Sequence, residues 1–123
     1  MKLSAAEEVL MHYLWRRERA FMKDLLEAYP APKPAPTTVA TLLKRMSTKG
    51  LVGYREVGSS REYYPLIAQQ AYCATHVEGL IKNFFNNSKA QFASFFTSQA
   101  NLTTQELEAL QQIIQAQLEQ KKP

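Results

Sequence analysis

Residues 36–50 read PTTVATLLKRMSTKG, a stretch with the pattern of an amphipathic helix. Wound as a helix, it forms one apolar stripe at positions i, i+3, i+4 and i+7, made of Val39, Leu42, Leu43 and Met46, and such a stripe faces a core. The opposite side carries hydroxyl groups and cations but no carboxylate. Its residues are Thr37, Thr38, Thr41, Lys44, Arg45, Thr48 and Lys49. An ordinary solvated helix face mixes both signs of charge, so this face is suited to a negatively charged partner.

Local signals on either side predict where this helix begins and ends. The preceding segment PAPKPAP, residues 30–36, holds four prolines in seven residues and cannot continue a helix. Pro36 suits the first helical position, where a missing N–H costs nothing, and Gly50 suits the position just past the end.

Two shorter helices are predicted before residue 30. Ser4 with Glu7 three residues later forms a capping box for the first helix, whose expected core stripe is Ala6, Val9, Leu10, Tyr13 and Leu14. Three arginines lie near the end of this helix: Arg16, Arg17 and Arg19. They stabilise the negative end of the helix dipole, and this role is as well supported as contact with DNA. The second helix is expected over residues 20–29.

After Gly50 the apolar period changes from helical to strand-like. LVGYREV and REYYPLI are rich in β-formers and are joined by GSS, which predicts a hairpin with Pro65 at an edge position and Tyr63 packed inward. Three helices followed by a hairpin is the order of a winged helix-turn-helix domain, in which the hairpin is the wing. We therefore expect a mainly α protein with a small β-hairpin, whose residues 1–67 form the winged-helix domain.

Residues 68–123 are predicted to form further helices with long apolar faces. Thr103 and Glu106 make a second capping box, and five phenylalanines fall in this half. Two isolated helices cannot bury so much apolar surface, so we expect a homodimerisation domain; folding back onto the first three helices is the alternative. The residues expected at the dimer interface are Val77, Leu80, Ile81, Phe84, Phe92, Phe95, Leu107, Leu110 and Ile114.

The chain has 123 residues, 46% hydrophobic and 21% charged, which is an ordinary globular composition. Its net charge of +4 lies wholly in the first half: residues 1–67 hold eleven Lys and Arg against seven Asp and Glu, whereas residues 68–123 hold four of each. This excess favours a polyanion, although basic stretches are often only solvated surface. Short apolar runs and an acidic start, MKLSAAEE, predict a cytoplasmic protein without membrane insertion.

No catalytic constellation is visible. Four glycines are scattered, and two histidines cannot complete a triad. Cys73 and His76 share a helix face, but two ligands do not complete a metal site, so we expect a buried thiol beside a polar imidazole. We therefore expect no enzyme, no metal or other cofactor, and no small-molecule substrate.

In a winged helix the third helix enters the major groove of DNA with its N-terminal residues. The residues expected to contact DNA are Thr37, Thr38, Thr41, Lys44, Arg45 and Lys49 on this helix, and Arg55 and Arg61 in the wing. A winged helix that binds another protein as an adaptor is the alternative, but an adaptor has no need of a recognition face without acids.

The stretch APTTVATLLKRMSTKGLV resembles the recognition helix of the penicillinase-repressor (BlaI/MecI) family. The family pattern is matched by Pro36, Thr38-Val39, Thr41-Leu42-Leu43, Arg45 and Lys49-Gly50, and the opening LSAAEEVLMHYLW resembles the family's first helix. The resemblance covers nearly the whole chain and implies a dimeric repressor of a palindromic operator in double-stranded DNA. This chain lacks the Lys or Arg that members often carry at the positions of Thr37 and Ala40, and has Gly58-Ser59 in place of the wing's Gly-Arg, which implies a different operator.

The resemblance also implies a means of induction. Repressors of this family in β-lactam resistance are inactivated when a membrane-bound sensor metalloprotease, triggered by the antibiotic, leads to a cut within the dimerisation helices. The matching region here is FASFF, with Ser94-Phe95 where the resistance repressors carry Asn-Phe. The copper-responsive branch carries several C-terminal cysteines, whereas this chain has only Cys73.

Overall fold

The structure, a computed structural model, describes residues 2–123. The elements in chain order are α1 (Ala5–Arg17), β1 (Ala20–Phe21), α2 (Met22–Ala28), α3 (Pro36–Thr48), β2 (Val52–Val57), β3 (Ser60–Pro65), α4 (Gln69–Phe84), α5 (Lys89–Gln99) and α6 (Thr104–Lys121). The predicted fold class, mainly helical with a small antiparallel sheet in a winged-helix arrangement, is confirmed. Contacts divide the chain into a first unit that ends at His76 and a second unit that begins at Val77.

Helix α1 begins with the predicted capping box, and its buried face agrees only in part with the one expected: Leu10 and Leu14 are buried as predicted, whereas Ala6 is exposed. Ser4 Oγ accepts from the Glu7 amide, and Glu7 Oε1 accepts from the Ser4 amide. The buried positions are Glu7, Leu10, Met11 and Leu14, which again have the spacing i, i+3, i+4 and i+7. The expected core position Val9 is 44% exposed. The stripe is shifted because a carboxylate, Glu7, takes an interior position that an apolar pattern cannot reveal.

Helix α3 has the predicted bounds because its local signals agree. Pro36 is its first residue, and the predicted stripe faces the core: Val39, Leu43 and Met46 are at most 1% exposed. Past the end of the helix, Gly50 has φ +77°, a left-handed conformation that glycine adopts without a Cβ clash. The Leu51 amide donates to the Met46 carbonyl and the Gly50 amide donates to that of Ser47, which completes a Schellman motif.

The sheet has three strands in the order β1-β3-β2, one more than predicted. The hairpin of β2 and β3 turns at Gly58, and Ala20 and Phe21 pair with Tyr63 and Glu62 of β3. Helix α2 therefore begins at Met22 and not at residue 20. Strand β3 is central, and Pro65 is tolerated in it because it is the last residue of the strand, beyond the pairing with β1.

The core of the first unit lies between α1, α2, α3 and the sheet. Its buried residues are Leu3, Leu10, Met11, Leu14, Ala20, Leu25, Val39, Leu43, Met46, Leu51, Val52, Tyr63 and Tyr72, and the predicted inward packing of Tyr63 is confirmed. Trp15 Nε1 donates to the Ile67 carbonyl over 2.8 Å, and the Leu3 amide donates to the Tyr72 hydroxyl over 2.9 Å. These two bonds attach the chain after β3 to α1 and to the residues just before it.

In the second unit, α5 and α6 begin at side-chain caps. Ser88 caps α5, and Thr103 with Glu106 forms the predicted capping box of α6. Phe85 packs against Phe92 and Phe95, with ring centroids 5.5 and 5.1 Å apart. None of the helices between residues 2 and 123 is both long enough and apolar enough to cross a membrane.

Candidate nucleic-acid interface

The outward face of α3 is exposed and bears no acidic side chain. Thr37, Thr38, Thr41, Lys44 and Arg45 are all exposed, and they come together on the side opposite the buried stripe. Thr41 Oγ1 donates to the Thr37 carbonyl over 2.9 Å, so the helix holds its hydroxyl proton and the exposed side chain keeps its lone pairs as acceptors. The face can therefore accept hydrogen bonds, contact methyl groups and present two positive charges.

The predicted cations fall into two classes that the sequence did not distinguish. Among residues 2–123, Lys44, Arg45 and Arg61 form no ion pair, whereas Lys49 and Arg55 each do. A cation without an internal carboxylate loses no existing partner when it meets a phosphate. Lys44, Arg45 and Arg61 are therefore the stronger candidates for DNA contact.

Lys49 lies at the end of α3 and binds back to the start of the chain. Its ammonium donates to Glu7 Oε1 and to the Lys2 carbonyl, and its side chain is only 26% exposed. Burial raises the pKa of Glu7, but the hydrogen bonds from Lys49 and Ser4 outweigh it and hold the pKa of this carboxyl below its usual value. Lys49 thus joins α3 to α1, a role that its place in the sequence pattern of α3 did not indicate.

The two wing arginines lie on opposite faces of the hairpin. In the β2-β3 register Tyr54 pairs with Tyr63 and Glu56 with Arg61, while Arg55 pairs with Glu62 on the other face. Arg55 Nε donates to Glu62 Oε1 over 2.7 Å. Arg61 instead stacks on Tyr54, with its Cζ 4.3 Å from the ring centroid. Because Tyr63 is buried, the Arg61 face is the one that turns toward the core side of the domain.

An open crevice of about 470 Å³ lies between α3 and the hairpin, on the face that carries Arg61. Its polar lining comes from Lys44, Ser47 and Thr48 of α3 and from Tyr54, Arg61 and Tyr63 of the hairpin. The sequence did not predict that α3 and wing residues line one crevice of the candidate site. The alternation of side chains along a strand could have placed Tyr54 and Arg61 on one face once the register was known.

Most of the residues expected at a dimer interface are open to solvent in the single chain. Phe84 is 75% exposed, Ile114 60% and Phe95 51%; Val77, Leu80 and Leu107 are also exposed, Phe92 and Leu110 are half-buried, and Ile81 is buried. Ser94, of the expected cleavage region, is exposed in the middle of α5. A cluster of large apolar side chains this exposed is typical of a surface that another chain covers.

The expected buried thiol is wrong, because Cys73 is exposed. Its neighbour Tyr72 takes the buried position, and His76 Nε2 lies 2.8 Å from the Tyr72 hydroxyl, so the imidazole is bonded to the phenol. No group of three or more His, Cys, Asp or Glu that could hold a metal ion occurs between residues 2 and 123.

Comparisons with known protein sequences agree on one family. A family profile described as "Penicillinase repressor" matches residues 3–116. The methicillin resistance regulatory protein MecI of Staphylococcus aureus (strain N315) is 22% identical over 114 residues, which cover 92% of this chain and 93% of MecI. The penicillinase repressor of Bacillus licheniformis is 22% identical over 122 residues, which cover 98% of this chain and 95% of that protein.

A solved structure from a study of the regulation of DNA binding of Bordetella bronchiseptica BpsR by 6-hydroxynicotinic acid has a similar fold. Its TM-score is 0.52 at 16% identity, and the match covers 94% of this chain and 80% of that one. At this identity the likeness concerns the fold alone.

Proposed function

Because the chain belongs to the penicillinase repressor family, whose members are DNA-binding transcriptional repressors and not enzymes, we propose that it represses transcription as a homodimer bound to a palindromic operator. The observation that carries the proposal is the exposed face of α3, which has hydroxyl groups, no acid, and two cations that form no ion pair within residues 2–123. Such a face is suited to a DNA groove.

The proposed contacts follow from the chemistry of each side chain. Thr37, Thr38 and Thr41 lie in the N-terminal half of α3, which reads base edges in a helix-turn-helix complex, and short hydroxyl side chains suit base edges, thymine methyl groups or phosphates. Arg45, on the same side, has the planar donors that fork onto a guanine. Lys49 and Arg55 are left out of the proposed contacts because each is already paired.

The proposed dimer forms through the exposed apolar residues of the second unit. A twofold homodimer is the commonest way to cover such a surface, and it presents two copies of α3 to successive major grooves, roughly 34–36 Å apart. Tethering two weakly bound arms makes the second binding event intramolecular and raises operator affinity without new contacts. Occupancy of the operator then blocks transcription.

The family resemblance extends the proposal to induction by a sensor protease. The Ser94-Phe95 bond lies inside α5, where the Ser94 carbonyl accepts from the hydroxyls of Thr97 and Ser98. Proteases generally require an extended substrate, so a cut here would need local unfolding of α5, and it would separate part of the proposed dimer surface from the DNA-binding unit.

The experiment that tests the proposal is binding of the purified protein to the DNA upstream of its own gene, with unrelated competitor DNA, across a salt series. The expected result is a footprint over an inverted repeat, with a preference of ~10³-fold or more over competitor. Weak binding that ignores sequence and disappears with salt would leave only the electrostatic contribution, and the adaptor function would then replace the repressor.

A further inference from the structure

The crevice between α3 and the hairpin has a lining that differs from the rest of the α3 face. Two cations meet there, Lys44 from the helix and Arg61 from the strand, and the remaining polar side chains are those of Ser47, Thr48, Tyr54 and Tyr63. The Thr48 hydroxyl already donates to the Lys44 carbonyl over 3.0 Å. No carboxylate is part of the lining. A concave site with two positive charges and no acid is suited to an anion that carries several acceptor oxygens.

The position of Arg61 is set by an aromatic ring and not by the nearest acid. Glu56 is its direct cross-strand partner and lies on the same face, yet Arg61 makes no ion pair within residues 2–123. The guanidinium lies over Tyr54 instead, 4.3 Å from the centroid, where the ring attracts the positive charge without using the N–H donors. The donors at the edge of the guanidinium thus stay free for an acceptor.

The place of the crevice along α3 indicates which part of DNA would enter it. Base edges are read from the N-terminal residues of a recognition helix, whereas Lys44, Ser47 and Thr48 belong to the C-terminal half of α3. We propose that the crevice binds one backbone phosphate of the duplex between Lys44 and Arg61, and that Tyr54 is a positioning residue that holds the Arg61 guanidinium for this contact. This inference rests on the proposed function, and it assigns a DNA phosphate as the ligand of the crevice within the proposed DNA-binding site.

The contribution of Tyr54 is to hold the Arg61 guanidinium in place before a phosphate binds. A free arginine side chain loses rotamer freedom when it binds a phosphate, and a guanidinium already stacked on a ring loses less. The effect belongs to the ring, so Phe at position 54 preserves it and Leu does not. Removal of the ring should weaken DNA binding about twofold to fivefold, the range of a cation–π contact at an exposed site.

The test measures the affinity of the full-length protein for two duplexes of about 30 base pairs, one of arbitrary sequence and one from upstream of its own gene, across a salt series. Arg61→Ala should reduce the slope of log affinity against log salt by ~0.9 on both duplexes, because one phosphate contact is lost. Arg61→Lys should keep the slope. Lys121→Ala, which removes an exposed cation of the second unit, is the matched control and should leave the slope unchanged.

The positioning role is tested by a double-mutant cycle. Tyr54→Leu should weaken binding in the wild-type background and have no further effect in the Arg61→Ala background, while Tyr54→Phe should bind as the wild type does. Circular dichroism melts check that each variant folds. If Tyr54→Leu fails to fold, the comparison of Arg61→Lys with Arg61→Ala still tests the phosphate contact, and weakened binding by Tyr54→Phe would overturn the role of the ring.

The outcomes separate this inference from the repressor proposal. An unchanged slope for Arg61→Ala, with sequence-specific binding by the wild type intact, overturns the phosphate site and leaves the repressor standing. A loss confined to the specific duplex overturns it in favour of base reading. An effect of Tyr54→Leu that persists without Arg61 overturns the positioning role. Failure of the wild type to bind either duplex overturns the repressor proposal and the phosphate site together.

Discussion

Replacing Lys49 with methionine separates two roles that its position on α3 allows. The ammonium of Lys49 binds Glu7 Oε1 and the Lys2 carbonyl, so it joins the end of α3 to the start of α1. Methionine keeps most of the length and apolar stem of lysine but removes the charge. If the role of Lys49 is structural, the variant loses stability; if Lys49 instead contacts DNA, the variant loses affinity and keeps its stability.

The size of the loss follows from the burial of the two partners. Removing one member of a fully buried ion pair costs about 3–5 kcal/mol, because the other charge stays buried without a partner. The side chain of Glu7 is 2% exposed but that of Lys49 is 26% exposed, so water already screens part of the pair. The second carboxylate oxygen of Glu7 has no hydrogen-bond partner within the described part of the chain and offers no substitute. We expect Lys49→Met to lower the free energy of unfolding by about 2–3 kcal/mol at pH 7.

The same reasoning predicts how the loss depends on pH. The pKa of Glu7 is lower in the folded protein than its usual value of 4.5, so the native state favours the ionised carboxylate. Its contribution to stability is therefore present above pH 4.5 and is lost as the pH falls through the lowered pKa. A protonated Glu7 has less need of a cation, so the difference between wild type and Lys49→Met should shrink under acidic conditions.

Urea unfolding at one fixed protein concentration, at pH 7 and under acidic conditions, measures these differences. Lys44→Met is the matched control, because Lys44 is an exposed cation on the same helix and forms no ion pair within residues 2–123. It should change the free energy of unfolding by less than about 0.5 kcal/mol. A Lys49→Met variant as stable as this control would refute the structural role of Lys49, and a selective loss of DNA affinity would assign Lys49 to the interface.

Three further predictions concern the proposed function. Arg45→Ala should cost ~1–3 kcal/mol of operator binding and relax the base preference at one position in each half-site, measured by titration of operator variants. An equal loss of affinity on every sequence would mean that Arg45 contacts only phosphate. Phe84→Asp should weaken the proposed homodimer at least about tenfold in sedimentation equilibrium, because it places a charge in the apolar surface where Phe84 is 75% exposed. The control is Gln112→Glu, which adds a charge at an exposed position of α6. Equal dimer affinities of the two variants would contradict the proposed dimer surface. Glu56→Gln should strengthen binding to any duplex about twofold to fivefold at low salt by removing a carboxylate beside Arg61, and unchanged affinity would place this face of the wing away from DNA.

The parts of the fold that could be predicted are those fixed by residues close together in the sequence. Helix α3 is bounded by Pro36 and Gly50 and has a strict apolar period, so its limits follow without tertiary information. The capping boxes at Ser4 and Thr103 are equally local. Strand β1 is different, because two residues become a strand only by pairing with Tyr63 and Glu62, some forty residues later in the chain.

The parts of the site that could not be predicted depend on choices between distant partners. The residue types identified the cations. They did not show that Lys49 binds the carboxylate of Glu7, 42 residues away, or that Arg61 stacks on the Tyr54 ring and does not pair with Glu56 opposite it. Glu7 is buried because Lys49 and the Ser4 amide bind its carboxylate, and an apolar pattern does not reveal such a partner. Local patterns thus located the exposed face of α3 that bears no acid, whereas the pairing of its charges required the three-dimensional structure.

The two faces of α3 have consequences for how such a protein can change over time. The buried stripe of Val39, Leu43 and Met46 supports the core, while Thr37, Thr38 and Arg45 are open to solvent. Substitutions at the open positions alter the surface offered to DNA with little effect on folding. A lineage can therefore exchange one target sequence for another by single steps, each of which leaves a stable protein, and relatives that share little sequence can keep one architecture while controlling different genes.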